Sequence, residues 1–157
     1  MLKLKAVTRI LALLTLTSHL GVVGAVCMNP KTWISGYKVP LTLETREAEA
    51  IVIGRVVSEQ PLQEDQADPD GTTAYNVSIK VLTRMKGYLP NVFVIRNENT
   101  SSRYPMSVGE EHILFINRFG NALWVNACGN SALRTEAPHL VRQIKQRLQK
   151  SAIPLRN

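Results

Sequence analysis

Two cysteines, Cys27 and Cys128, constrain this chain more than any other feature, because they stand 101 positions apart and are the only pair a single chain can join. Whether they are joined depends on where the chain resides. The first residues, Met1 to Arg9, are short and basic with Lys3, Lys5 and Arg9; an apolar run follows from Ile10, and Val23-Gly24-Ala25 supplies small residues at its exit. A charged start, an apolar middle and a small-residue exit make a secretory signal peptide, with cleavage expected after Ala25. Thr15, Thr17, Ser18 and His19 interrupt the run, which makes it a poor ~20-residue membrane span. Val26, rather than Gly, Ala or Ser, precedes Cys27, which disfavours a lipoprotein. The chain is therefore expected to be exported, to a periplasm or to the outside, where cysteines oxidise. A bridge closing so long a loop stabilises by about 4–5 kcal/mol in the chain-entropy treatment. The alternative, a free thiol nucleophile, lacks a His with a nearby Asp or Asn beside either cysteine.

Export also relocates the charge. Loss of Lys3, Lys5 and Arg9 takes the net charge from +7 to +4. From Arg134 onward six basic residues stand against Glu136 alone, so the body between Val26 and Leu133 is close to neutral. Basicity gathered in one tail is not the footprint of a general nucleic-acid binder, and no nucleic acid is expected as a partner. The division is a signal peptide (1–25), a globular domain (26–133) and a basic amphipathic helix with its tail (134–157).

Within the domain, 26–40 reads as irregular, with turns at Asn29-Pro30 and Ser35-Gly36 and with Trp33 and Tyr37 expected to pin it to the body. Segment 41–50 reads as a short helix capped by Thr42. Segment 50–58 is a β-branched strand with Gly54 inside it, where a small barrel needs a bulge. Residues 59–72 read as an acidic loop. In 73–83, Tyr75, Val77, Ile79 and Val81 alternate with polar residues, the period of a half-buried strand. Strands are further expected at 92–95, 111–117 and 122–126, the last two joined as a hairpin. Leu140, Val141, Ile144 and Leu148 form one apolar stripe over a helix at 138–150. Five strands in so short a span, with a bulge and flanking helices, imply a mainly β fold: a small closed antiparallel barrel with a short N-terminal helix and a C-terminal amphipathic helix. A β-sandwich is the alternative, and periodicity does not separate the two.

Glu49-Ala-Ile-Val-Ile-Gly-Arg-Val-Val57, Tyr75-Asn-Val-Ser-Ile-Lys-Val-Leu82 with Lys86-Gly87, Val108-Gly-Glu-Glu-His-Ile-Leu-Phe-Ile116, Leu123-Trp124 and Ala127-Cys128-Gly129 occur in that order. With them the chain resembles the netrin-like module of tissue inhibitors of metalloproteinases, and more closely single-domain bacterial proteins of that type. The resemblance covers Cys27 to Cys128 and implies an OB-fold, a five-stranded Greek-key barrel. It also implies protein binding, with metalloprotease inhibition as a candidate activity. In the animal inhibitors the N-terminal cysteine chelates the protease zinc through its α-amino nitrogen and carbonyl oxygen, and Cys27 is the matching position. That chemistry requires Cys27 to be the first residue, since Val26 ahead of it would turn the amine into an amide. The family's Cys-x-Cys start is replaced here by Cys27-Met28-Asn29.

No residues assemble into an enzyme's constellation. His112 falls in a strand and His139 in the first turn of a helix, neither with a partner at metal spacing, so no catalytic residue, metal or cofactor is expected. The reading is a non-enzymatic binding module. Its expected contact residues are Val26, Cys27 and Met28, with Glu64, Asp65, Asp68 and Asp70 of the acidic loop facing a basic partner. An alternative places Arg142, Lys145, Arg147 and Lys150 of the last helix against an anionic polymer or membrane surface. A purely structural envelope component is the third reading.

Overall fold

The computed structural model describes residues 27–152. The signal peptide expected over 1–25, the contact expected at Val26 and the tail from 153 lie outside the described residues. The elements are α1 (Leu41–Glu47), β1 (Ala50–Leu62), β2 (Ala74–Lys86), β3 (Val92–Glu98), β4 (Glu111–Phe119), β5 (Ala122–Val125), β6 (Ala132–Leu133) and α2 (Leu140–Ala152). Hydrogen bonding runs β1-β2-β3-β5-β4, and β4 returns to β1, which closes a ring of five strands. This is the expected small, mainly β, OB-like barrel, with one departure from the antiparallel expectation. β3 and β5 run parallel and meet only at Ile95 and Leu123.

The hydrophobic pattern explains the closure. β1 and β4 are buried on both faces, so they read as continuous apolar runs rather than alternating ones. Ala50, Val52 and Val56 of β1 and Leu114 and Ile116 of β4 point into the barrel with Val77, Ile79, Phe93, Ile95, Leu123 and Val125. Ile51, Ile53, Ile113 and Phe115 point the other way, against Leu140 and Ile144 of α2. Val141 and Leu148 pack at the margin of this second cluster, completing the stripe read from the sequence. Gly54 is required where β1 bends. A Cβ there would sit 2.4 Å from Ile79 Cγ2, and the β1–β2 register shifts between Ile53 and Gly54.

Several local expectations are corrected. α1 is capped by Pro40 without a side-chain hydrogen bond, not by Thr42, because the proline ring already fixes the entry angle. It ends at Glu47, where Ala48 turns extended. β1 continues to Leu62, which shortens the acidic loop to 63–73. Pro61 is tolerated there because β4 pairs only with residues up to Arg55, so the outer edge needs no N–H donor. α2 starts at Leu140, with Pro138 in the preceding turn. Trp33 does not pin the N-terminal segment; it is 73% exposed.

β6 was not legible. It shares the free edge of β4 with β5, pairing with His112 and Ile113. Between β5 and β6 the ladder is interrupted, and Ser131 Oγ accepts the N–H of Phe115 at 2.9 Å. Cys128 lies in this interruption.

Candidate protein-binding edge

Cys27 and Cys128 are bonded, with Cα atoms 5.5 Å apart, as the sequence implied. The bridge fastens the N-terminal segment beside the β5–β6 interruption. Two backbone bonds lie alongside it, Tyr37 N–H to Cys27 O and Val39 N–H to Cys128 O, both 2.9 Å. On the Cys128 side, the Asn126 side chain accepts Cys128 N–H at 2.9 Å. On the Cys27 side, Asn29 organises a tight turn. Its Oδ1 accepts Lys31 N–H at 2.8 Å, its N–H donates to Ile34 O at 2.9 Å, and Met28 bridges Ser35. Trp33 sits on this turn at φ +56°, a left-handed conformation that is costly for a bulky side chain. Trp33 and its neighbour Ile34 are 73% and 67% exposed, and Met28 is exposed too. The segment is held by a covalent bond and polar contacts, while its apolar side chains stay in water.

Glu44 links this edge to the body. Its Oε2 accepts both the backbone N–H and the side-chain amide of Asn130, at 2.6 and 2.7 Å, and the same amide donates to Val39 O. Glu44 is buried and its Oε1 has no hydrogen-bond partner. Burial pushes its carboxyl above the ordinary carboxylate range, and the Asn130 bonds oppose that shift only in part. Gly129 leaves room for this carboxyl, since a Cβ would fall 2.0 Å from Glu44 Oε1 and displace it.

A groove of about 620 Å³ opens beside the bridge, where β3 and β5 diverge beyond their single pair. Phe119, Trp124, Arg96 and Cys128 are among the residues that line it. Phe119 is 83% exposed at the tip of the β4–β5 hairpin, whose two-residue turn is Gly120-Asn121. Arg96 joins the acidic loop to the groove. It donates to both Glu64 oxygens at 2.9 and 2.6 Å and through Nε to Glu98 at 2.6 Å. The Arg96 guanidinium holds the Glu64 carboxyl below its usual range. Glu64 is thus engaged within the molecule, which removes it as a freely offered acid. Asp65 is also used locally, accepting Ala67 N–H at 2.8 Å, and Asp68 O closes a turn onto Gly71 N–H. Asp68 and Asp70 are exposed. Of the expected contact residues, Cys27 is bonded to Cys128 and Glu64 to Arg96, both of which line the groove, whereas Met28 lies on the Asn29 turn opposite Ser35. The three aspartates stay in the loop.

The helix cations divide. Arg147 and Lys150 line a hollow between α2 and α1, whereas Arg142 and Lys145 are exposed and take no part in it. His112 is buried between Tyr104 and Glu110, with Nδ1 3.0 Å from the phenol oxygen and Nε2 3.1 Å from Glu110 Oε2. Ser107 N–H holds the Glu110 carboxyl below its usual range, so Glu110 acts as acceptor. In the neutral imidazole, Nε2–H donates to Glu110 and Nδ1 accepts the Tyr104 hydroxyl. Burial raises the pKa of that phenol. His139 is exposed just ahead of α2.

Phe119, Glu44 and Asn130 were not singled out from the sequence. Phe119 precedes a Gly-Asn turn, the one local sign that its ring would project. Glu44 and Asn130 are 86 residues apart and carry no mutual signal. No helix among the described residues is long and apolar enough to cross a membrane. No family model matches the chain, and no curated protein matches it closely enough to count as a relative.

Proposed function

We propose that this chain is an exported, non-enzymatic binding module whose Cys27 edge engages a partner protein. One observation carries the reading: Trp33 is 73% exposed in a left-handed backbone conformation, on a turn fastened by the disulfide and flanked by Ile34 and Met28. A tryptophan held out by a rigid turn loses little entropy on docking, and such anchors dominate the energetics of protein interfaces. The groove with Phe119 and Trp124, which reaches Cys128 of the same bridge, offers a second apolar surface. The bridge is compatible with an oxidising compartment, in keeping with export.

Metalloprotease inhibition is the particular activity that the netrin-like resemblance suggests. Cys27 O accepts the Tyr37 N–H, which orients the carbonyl and leaves its second lone pair for a metal. The α-amine needed beside it exists only if processing leaves Cys27 first.

A photo-crosslinking residue at Trp33, in protein exported by its own host, tests the binding reading against the same residue at Val57 on β1. A discrete protein adduct from position 33 and none from 57 is expected; equal or absent labelling would remove the Cys27 edge as the interface. N-terminal sequencing decides the finer reading. Protein beginning at Cys27 is expected to inhibit a zinc protease, and protein beginning at Val26 is not.

A further inference from the structure

The groove beside the disulfide holds a cation that the fold does not use. β3 and β5 pair only at Ile95 and Leu123 and run parallel, so the loop after β3 and the residues after β5 leave the pair on the same side. Arg103 lies in that loop and lines the groove. Its backbone N–H closes a turn onto Thr100 O at 3.1 Å, and its guanidinium sits over the Tyr75 ring, 5.0 Å from the centroid. Stacking holds the guanidinium by its face and leaves the N–H groups at its rim able to donate. Among the described residues no carboxylate or carbonyl takes them.

The other charges of the groove are already engaged. Arg96 and Glu98 are bonded to each other at 2.6 Å, and Glu64 takes the remaining face of Arg96. Arg103 is thus the one groove cation free to meet an anion among the described residues. Phe119 and Trp124 supply the apolar part of the lining. A fitting ligand has an apolar body and one carboxylate, which arginine binds through paired N–H groups. Shape narrows the class. Both rings are open to water, so a free acyl chain would stay half hydrated here. An extended peptide gains more. Beyond Ile95 and Leu123, the facing edges of β3 and β5 have no strand neighbour, and such edges accept a further extended segment. Arg103 follows the end of β3, where a segment bound along that edge runs out, and a terminal carboxylate suits that place.

We propose that the groove binds the C-terminus of a partner protein, with its last apolar side chains on Phe119 and Trp124 and its terminal carboxylate on Arg103. The assignment rests on reading the chain as a protein-binding module, and it is independent of the Trp33 turn.

That independence supplies the test. Trp33 and Trp124 are the only tryptophans of the chain, so Trp33→Phe leaves an emission that reports the groove alone. Emission of the disulfide-bonded Trp33→Phe protein is followed as acetylated pentapeptides are added. Their last three positions are a mixture of Val, Leu, Ile and Phe, supplied once as the free acid and once as the carboxamide. A saturable change is expected, with the free acids bound about tenfold or more tightly than the carboxamides. Arg103→Gln is expected to remove that preference. Lys145→Gln, which removes an equal charge from an exposed position on α2, is expected to keep it. Equal binding of the two pools, a preference that survives Arg103→Gln, or no saturable change would overturn the proposal. Decanoate binding more tightly than the free-acid peptides would also overturn it, by making the groove an acyl-chain site. Because Trp33 is absent throughout, these results bear on the groove, whereas cross-linking from position 33 bears on the Cys27 edge. Each can fail without the other.

Discussion

The two flanks of the barrel are stabilised by different means. On the helix flank, Ile51, Ile53, Ile113 and Phe115 are sealed under Leu140 and Ile144, and the Lys86 ammonium ties the end of β2 to α1. On the Cys27 flank a disulfide, a few backbone bonds and the Glu44–Asn130 contact hold the chain, while Trp33, Ile34 and Met28 face solvent. Burial consumes apolar side chains; covalent and polar fastening leaves them over. Tying rather than packing can keep a region both rigid and sticky, and that is the physical basis for proposing a partner at Cys27 rather than at α2.

The contrast can be broken most severely from the packed side. Phe115→Ala removes a fully buried ring and is expected to cost about 3–5 kcal/mol in urea denaturation, with the disulfide intact. Replacing both cysteines by serine should cost a comparable amount, about 4 kcal/mol. Its signature is regional: hydrogen exchange should quicken at the amides of Tyr37 and Val39, while Ile113 and Phe115 stay the most protected. Uniform loss of protection would show that the bridge supports the barrel itself, and the contrast would fail.

Smaller changes sharpen it. Lys86→Met keeps the stem but uncovers three carbonyls, and about 2 kcal/mol should be lost. Glu44→Gln should change the pH dependence more than the stability. A carboxyl whose value is raised by burial favours the fold when protonated, so that contribution is complete below the ordinary value of 4.5 and is lost as pH rises through the raised one. Glutamine retains the acceptor for Asn130 and carries no charge. The variant is expected to lose this decline, so that its stability relative to the parent improves as pH rises from 4 to 8, read from melting curves across pH.

The sequence announced the packed flank better than the tied one. The stripe of Leu140, Val141, Ile144 and Leu148, the alternation through β2 and the bulge at Gly54 all repeat with the period of the element they form. The last residues of β1, Glu59-Gln-Pro-Leu62, carry no such period; pairing with β2 makes them a strand. β6 has only two residues, and β5 meets β3 through one pair, too little for a pattern. On the Cys27 flank, the cysteines were legible because only one pairing exists within the chain. The exposure of Trp33 was not, because an aromatic in an irregular segment reads as an anchor to the core. Its left-handed backbone follows from the Asn29 turn, which propensity alone does not specify.

Trp33→Ala tests the central claim most directly, with its denaturation midpoint and its binding to the protein cross-linked at position 33 measured on the same sample. Exposed as it is, the indole should contribute less than about 0.5 kcal/mol to the fold, and its removal should abolish binding. A stable variant that binds as well as the parent, or a variant whose stability falls by several times that amount, would contradict the assignment of this edge to a partner.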